Sequence, residues 1–324
     1  MLFRKFVLTP DEPAEPQKLP QLPSAEGMPV YILGDTALAY FLAIKFTAAG
    51  KRVIMMAGTK ENASIATNGL TVKEDYQLQK LHYRLETALW LKEEPEMLII
   101  AAESSKVKAM LTGVSKNKIR NCPVISFTRL KDKNFISDIL GIPVTAAYFD
   151  GWLHYHNQLV TAYGRTPTIT ICCETSASSY ETLGNLLAET KIGLQNSLES
   201  QQTFWDYFCI YAPCSLITAA SGKSIFEVTK NKQLREQLQT VLQEIVKIVP
   251  AQIPPFEPEE LLKRIYNIPS GYLFPLSLQI RQHQTGDIDF ISSVIQDAAF
   301  HNKCLLPATN LLLKSIYELI INQK

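Results

Sequence analysis

Residues 30–39 read Val-Tyr-Ile-Leu-Gly-Asp-Thr-Ala-Leu-Ala, and this stretch decides the fold. The apolar run Val30–Leu33 ends at Gly34 and leads into Ala37–Ala49, a strong helix former that stops at Gly50. A buried strand, a glycine turn and a helix in this order are typical of the first unit of a Rossmann-type domain. The turn is therefore the place where a dinucleotide phosphate would be expected.

Strands and helices continue to alternate after this unit. Short apolar runs predict four further strands, at Val53–Met56, Met97–Ala102, Pro123–Phe127 and Thr168–Cys173. Stretches with helical period follow three of these strands, at Ser105–Thr112, Asn134–Leu140 and Tyr180–Thr190. Strands joined through helices predict right-handed crossovers and a largely parallel sheet.

The second half of the chain has a different pattern. Apolar residues recur at helical spacing through most of it, at Glu199–Ala220, Ile225–Val249, Pro258–Ile265, Ile288–His301 and Pro307–Ile321. The predicted fold class is therefore α/β, with a Rossmann-type N-terminal domain at 29–195 and an all-helical C-terminal domain at 196–324. A proline-rich N-terminal arm at 1–28 precedes them.

The composition excludes several classes of function. Lys and Arg total 32 against 31 Asp and Glu, and the net charge of +1 argues against general binding to nucleic acid or to an anionic membrane. The sequence shows neither a transmembrane run nor the apolar core of a signal peptide. None of the six cysteines forms a C-x-x-C pair, and His154-x-His156 has no third ligand placed beside it. We therefore expect a cytoplasmic protein with reduced thiols and no metal site.

The candidate cofactor loop keeps part of the dinucleotide fingerprint. In the pattern G-x-G-x-x-G/A, Gly34 occupies the first position, Thr36 the second and Ala39 the third. Thr36 places a side chain where backbone normally approaches the pyrophosphate, and Asp35 either adds a negative charge there or caps the helix. The loop predicts either a weakened dinucleotide site or a Rossmann-type scaffold that binds no dinucleotide.

The end of the second strand bears on the choice between NAD and NADP. An acidic residue there would bind the ribose 2′-hydroxyl, but Val53–Met56 is followed by Ala-Gly and then by Thr59 and Lys60. These two residues either hold the 2′-phosphate of NADP(H), or Lys60 is a solvated loop lysine. If a dinucleotide binds, NADP(H) is the predicted cofactor.

Local patterns in the helical half resemble the ketopantoate reductase (2-dehydropantoate 2-reductase) family. They are similar to its W-x-K helix, its L-T-A…G helix end, its T-E-I-D-x-I-N-G segment and its G-I-x-x-P turn, at Thr203–Tyr207, Leu216–Gly222, Gly286–Ile291 and Cys304–Pro307. The resemblance covers roughly residues 29–324. It implies hydride transfer from NADPH to the ketone of a 2-oxo acid, with a lysine as the proton donor.

Most of the functional residues of that family are replaced in this chain. Tyr207 stands at the position of the lysine, Asp287 at that of a glutamate, and Glu103 near that of a lysine. The resemblance places catalysis at Tyr207 and Asp287. It places substrate contacts at Tyr211, Ser215 and Ser277, and cofactor contacts at Gly34, Thr36, Ala39, Thr59, Lys60, Glu103 and Thr128.

Three functions are compatible with these replacements. The first is a ketopantoate-reductase-like protein that is inactive on ketopantoate and retains weak NADP(H) binding. The second is an active NADPH-dependent reductase of a small 2-oxo acid. In that case Tyr207 is the acid, and a cation such as Lys223 or Arg129 lowers its pKa from about 10. The third is a non-catalytic interaction protein in which Tyr207 and Tyr211 only pack and Asp287 caps the following helix. A homodimer is the expected assembly.

Overall fold

The computed structural model describes residues 27–75, 79–128, 132–172, 177–281 and 285–322. Apart from its last two residues, the proline-rich arm at 1–28 lies outside these ranges, as do Arg129 and Cys173. Within them no helix is long and apolar enough to cross a bilayer.

Ten strands of the described chain form one mixed sheet. They are β1 Val30–Leu33, β2 Val53–Met56, β3 Leu70–Glu74, β4 Gln79–Tyr83, β5 Glu86–Thr87, β6 Met97–Ile100, β7 Val124–Ser126, β8 Thr145–His156, β9 Leu159–Cys172 and β10 Gly193–Ser197. Their order across the sheet is β4-β3-β9-β8-β7-β6-β1-β2-β5, with β10 beside β9. The short central strands β1, β2, β6 and β7 are fully buried, which is why they appear in the sequence as continuous apolar runs.

In the described part of this domain, five α-helices connect the strands. They are α1 Ala37–Ala48, α2 Thr59–Asn68, α3 Ser104–Leu111, α4 Asp132–Leu140 and α5 Ala177–Leu187. The chain adds β2 on one side of β1 and later adds β6 on the other side, and both pair with it in parallel. The strand order therefore reverses between β1 and β6. Open α/β sheets bind ligands at the carboxyl ends of the two strands that flank such a reversal.

A long hairpin makes the sheet less parallel than the sequence predicts. The strands β8 and β9 pair antiparallel over most of their length, β3 and β4 also pair antiparallel, and only the last part of β9 was expected as a strand. The turn between β8 and β9 consists of Asn157 and Gln158, with φ of 47° and 63°. These residues adopt a conformation usually given to glycine, so no glycine marks the turn in the sequence.

The C-terminal domain is helical, as predicted. Its seven described helices are α6 Ser200–Ser221, α7 Ile225–Lys230, α8 Lys232–Lys247, α9 Pro258–Tyr266, α10 Pro275–Arg281, α11 Gly286–Asn302 and α12 Pro307–Asn322. The stretch with helical period over Ile225–Val249 forms two helices. Asn231 lies between them with extended backbone, and its Oδ1 accepts a hydrogen bond from the Leu234 N–H at 3.1 Å to cap α8. The apolar helix α6 runs through the core of the domain.

Candidate functional site

A cavity of about 590 Å³ lies between the carboxyl ends of the central strands and the helical domain. Its walls come from the carboxyl ends of β1, β6 and β7, from β8, from α6 and from the first turn of α11. Six of the residues predicted for the site line this cavity, namely Thr36, Glu103, Thr128, Tyr207, Tyr211 and Asp287. Folding thus brings both halves of the predicted site into one space.

The glycine end of the cavity is lined by Asp35, Thr36 and Ala101, and Gly34 directly precedes Asp35. Gly34 has a φ of +150°, and a Cβ at this position would overlap the carbonyl oxygen of Ala101, which follows β6. Glycine is therefore required here for the close approach of two chain segments, whether or not a ligand is bound. Ala39, the third residue of the fingerprint, is fully buried in the core beneath α1.

Thr36 holds the start of α1 in place. Its Oγ1 accepts a hydrogen bond from the Ala39 N–H at 3.2 Å and donates one to the Ala101 carbonyl at 2.6 Å. Thr36 is thus the helix cap, and the expectation that Asp35 caps α1 is wrong. The cap uses one of the N–H groups that a phosphate would otherwise find at this helix end.

Asp35 instead forms an ion pair with a lysine of α3. The Lys106 Nζ lies 2.7 Å from the Asp35 carboxylate and 3.5 Å from that of Glu103. Burial opposes the charge of Lys106, but the hydrogen bond and charge of Asp35, aided by Glu103, outweigh this effect and raise its pKa. The positive charge nearest the cofactor loop is therefore shared between two carboxylates.

The end of β2 lies outside the cavity wall. Thr59 and Lys60 are exposed in the first turn of α2. Glu61 follows them, and its carboxylate folds back over Gly58, where an added Cβ would overlap it. An acidic side chain therefore does lie at this strand end. The sequence pattern missed it because Glu61 is on the helix rather than at the last position of the strand.

The tyrosine end of the cavity comprises Tyr207, Tyr211, Tyr272 and Asp287. The rings of Tyr207 and Tyr211, one turn apart on α6, stack with their centroids 5.1 Å apart and an angle of 18° between their planes. The Tyr211 hydroxyl donates a hydrogen bond to the Asp287 carboxylate at 2.9 Å. The ring of Tyr272 packs against Trp152 of β8 at 4.8 Å. Residues from the sheet, α6, α11 and a loop therefore meet here.

Asp287 does not cap α11. The N-cap residue of that helix is Thr285, and Asp287 lies in the first turn, where its carboxylate lines the cavity. Its backbone N–H donates to the Gln279 Oε1 at 3.0 Å, so α10 positions this turn. The expected capping role is wrong because the helix begins at Gly286, two residues earlier than the sequence predicts.

Two predicted substrate contacts lie away from the cavity wall. Ser215 is fully buried, because the eight residues from Tyr207 turn the helix by about 80° and direct the serine into the helical core. The Ser277 Oγ donates to the Thr218 Oγ1 at 3.2 Å and so links α10 to α6. Ser277 therefore connects two helices of the domain, whereas Ser215 is enclosed within it.

Comparison with known proteins identifies the fold. No family model and no curated protein matches the chain. Solved structures do match. A PanE/ApbA family ketopantoate reductase from Ralstonia eutropha JMP134 has a TM-score of 0.76 at 15% identity, over 91% of this chain and 99% of that chain. A 2-dehydropantoate 2-reductase from Geobacter metallireducens GS-15 has a TM-score of 0.77 at 11% identity, over 90% and 99%. The chain has the ketopantoate reductase fold.

A second kind of enzyme shares this fold. The structure of D-mandelate dehydrogenase with NADH and anilino(oxo)acetate matches with a TM-score of 0.76 at 14% identity, over 91% of this chain and 99% of that chain. The similarity extends over both domains, as predicted from the local patterns. At these identities it establishes the ketopantoate reductase fold and leaves the chemistry to be argued from the side chains.

The phenols at the tyrosine end of this fold are poor acids. Burial raises the pKa of Tyr207 well above its ordinary value, and the neighbouring Tyr272 and Asp287 raise it further, although 40% of the residue surface is exposed. Burial and the charge of Asp287 likewise raise the pKa values of Tyr211 and Tyr272. Lys223 cannot reverse this effect, because it follows the end of α6, about 24 Å along the helix from Tyr207.

The cavity wall is acidic. Among the described residues that line it, Asp35, Glu103 and Asp287 carry carboxylates and none is a lysine or an arginine. A second cavity, of about 340 Å³, adjoins the stacked tyrosines and contains Arg165 and Arg264. Each of these arginines is ion-paired, with Asp150 at 2.5 Å and with Asp206 at 2.6 Å. Across the described ranges no three potential metal ligands cluster.

Sequence reasoning gave no site role to most of the aromatic residues that line the cavity, and Tyr148, Trp152 and Tyr272 are three of them. Tyr148 and Trp152 belong to β8, which the sequence did not predict, and Tyr272 belongs to a loop. None of them falls in a pattern that the resemblance covers. The only available signal was the high density of aromatic residues in 148–155, which fits a half-buried strand.

Proposed function

We propose that this chain is a ketopantoate-reductase-like protein that does not reduce ketopantoate and that binds a pyridine nucleotide, NADP(H), only weakly. One observation carries the proposal. Tyr207, the residue at the position of the family's proton donor, lines the cavity together with the Asp287 carboxylate, and burial, Tyr272 and Asp287 all raise its pKa. The remaining steps concern the charge that the reaction would develop and the site that the nucleotide would occupy.

Hydride transfer to a ketone creates negative charge on the carbonyl oxygen, and a catalyst must place a donor or a positive charge there. At the tyrosine end the nearest charge is the carboxylate of Asp287, which has the wrong sign. The carboxylate of a 2-oxo acid would also be repelled, by about 3 kcal/mol at 5 Å in a medium of effective dielectric constant 20. Both the ground state and the transition state of this reaction are therefore disfavoured.

The glycine end supports weak nucleotide binding. Ala37 and Leu38 line the cavity in the first turn of α1, where N–H groups have no acceptor within the helix and can bind a phosphate. Asp35 opposes an anion there, and Thr36 already uses one N–H group. Lys60 favours the 2′-phosphate of NADPH, whereas Glu61 favours the free ribose hydroxyl of NADH. A dissociation constant in the millimolar range is expected for either nucleotide.

The test combines binding with turnover. Purified protein is titrated with NADPH and with NADH while nucleotide fluorescence is followed, and nucleotide oxidation is then measured with ketopantoate and a panel of 2-oxo acids. We expect weak binding and no oxidation above the rate in buffer. Oxidation that depends on a 2-oxo acid would overturn the proposal.

An active reductase is the second candidate, and the open cavity beside the partly exposed Tyr207 is the observation that favours it. In that case Tyr207→Phe should abolish turnover, because phenylalanine has no proton to donate. Tyr266→Phe, on the exposed face of α9, is the matched control and should keep full activity. Turnover that survives in Tyr207→Phe would exclude the tyrosine as the acid.

A non-catalytic interaction protein stays compatible with the same side chains. In that case neither nucleotide binds, and a partner is recovered without any cofactor. We also propose that the protein is cytoplasmic and forms a homodimer, whichever of these functions it has. Light scattering of the purified protein checks the assembly.

A further inference from the structure

The stacked and packed rings of the tyrosine end form a structure that weak nucleotide binding does not require. Tyr207 and Tyr211 present one aromatic surface to the cavity, and Trp152 with Tyr272 presents another. Aromatic faces carry negative electrostatic potential, and cages of such rings bind organic cations. The Asp287 carboxylate lies among these rings and adds a full negative charge.

Buried polar atoms point to a ligand in the same cavity. Within the described residues, three buried side-chain oxygens have no hydrogen-bond partner, and two of them belong to residues that line this cavity: Asp35 Oδ1 and Tyr148 Oη. A buried acceptor left without a donor costs about 1–3 kcal/mol. Of these two atoms, Tyr148 Oη belongs to the same strand as Trp152, whereas Asp35 belongs to the glycine end and is paired with Lys106.

We propose that the cavity binds an organic cation, specifically an amine that carries an aromatic ring. The ammonium group lies near Asp287 within the aromatic surfaces, and the ring stacks on the Tyr207–Tyr211 pair. The inference goes beyond the proposed function, because it requires neither a nucleotide nor hydride transfer. It also accounts for the acidic wall, which suits a ligand of the opposite charge to a 2-oxo acid.

The adjoining cavity with Arg165 and Arg264 offers the opposite charge. Both guanidinium groups are held by aspartates, so an anion entering there would have to compete with Asp150 and Asp206. The two cavities share the tyrosine pair. A test that varies only the charge of a ligand therefore separates a cation site from an anion site.

Three phenols of nearly equal size provide this test: tyramine is a cation, 4-(2-hydroxyethyl)phenol is neutral and 4-hydroxyphenylacetate is an anion. Isothermal titration calorimetry with the full chain, at neutral pH and low salt, gives the affinity of each. We expect tyramine to bind at least about tenfold more tightly than the anion, with the neutral phenol between them. Equal or tighter binding of 4-hydroxyphenylacetate overturns the inference, as does the absence of tyramine binding at about tenfold the concentration at which NADPH is tested.

Two variants locate the site. Asp287→Asn keeps the shape of the side chain and should weaken tyramine about tenfold while leaving the neutral phenol nearly unchanged. Asp297→Asn, on the exposed face of the same helix, should bind like the parent chain. If both variants bind tyramine equally, Asp287 is not the anionic contact and the inference fails. The NADPH oxidation assay is independent of all these outcomes, so failure of the proposed function is recognised separately.

Discussion

The glycine end and the tyrosine end of the cavity are held by different kinds of contact. At the glycine end, two backbone segments are in close contact, because Gly34 lies against the Ala101 carbonyl. The Thr36 hydroxyl, at the start of α1, donates a hydrogen bond to the same carbonyl. At the tyrosine end, side chains from α6, α11 and a loop meet one another. The first arrangement is fixed by the packing of the sheet, whereas the second depends on which side chains are present.

This difference affects what a sequence pattern can indicate at each end. Gly34 and Ala39 are needed for the strand and helix to pack, whether or not the loop binds a phosphate. No such constraint requires a lysine at position 207. The fingerprint of a dinucleotide loop is therefore evidence of architecture first and of cofactor binding second.

The largest effect is expected from Gly34→Ala. The added Cβ would overlap the Ala101 carbonyl at a backbone conformation that L-residues rarely adopt, so the free energy of unfolding should fall by about 4 kcal/mol. Urea denaturation measures the change. Gly222→Ala is the control, because Gly222 has a φ of +67° but open space around its Cβ position, and the loss should be only about 1–2 kcal/mol. If both variants lost the same free energy of unfolding, the close contact with the Ala101 carbonyl would not be the reason for glycine at position 34.

A smaller effect is expected from Thr36→Val, which keeps the shape of the side chain and removes its hydroxyl. The helix loses its cap and the Ala101 carbonyl loses a donor, so the free energy of unfolding should fall by about 2 kcal/mol. Thr240→Val, at an exposed site on α8, should change it by less than about 0.5 kcal/mol. If Thr36→Val left the free energy of unfolding unchanged, the glycine end would not depend on this hydroxyl.

The tyrosine end should make the protein sensitive to alkali. The pKa of Tyr211 is raised in the folded chain by burial and then by Asp287. An unfolded tyrosine loses its proton near pH 10, whereas the folded one keeps it. The contribution of such a tyrosine to the free energy of unfolding is therefore fully present below about pH 10. Above that pH it falls by about 1.4 kcal/mol per pH unit for each such tyrosine.

The variant Tyr211→Phe isolates this contribution. Its free energy of unfolding, measured from pH 9 to pH 11, should fall less steeply than that of the parent chain. Tyr266→Phe, exposed on α9, should retain the slope of the parent chain. Identical slopes in all three proteins would contradict the assignment of Tyr211 to a buried, acidic environment.

The sequence predicts the elements that have one strong pattern. The strand, glycine and helix of residues 30–49 and the apolar helix α6 were found where expected. The hairpin of β8 and β9 was largely missed, because most of β8 is half-buried and gives no clear alternation, and its turn contains no glycine. The division at Asn231 was missed because an asparagine cap inside a helical pattern resembles an ordinary polar position.

The candidate site was predicted only in part, for a related reason. Position-by-position comparison located Tyr207 and Asp287, which lie within local patterns, and Tyr211, which follows Tyr207 by four residues on the same helix. It could not locate Tyr148, Trp152 or Tyr272, which reach the cavity only through tertiary folding. Nor could it show that Ser215 turns away from the cavity, because that depends on which face of α6 is buried. The sequence shows which residues are charged, but not which of them line the cavity.

The packing of Trp152 on Tyr272 gives the protein an internal optical signal. The chain has three tryptophans in three surroundings: Trp90 is 61% exposed, Trp205 is buried in the helical core, and Trp152 lines the cavity. Soluble quenchers should reduce the fluorescence of Trp90 and leave that of Trp205 unchanged. A molecule that enters the cavity should change the emission of the third, so occupancy can be followed on the unlabelled protein.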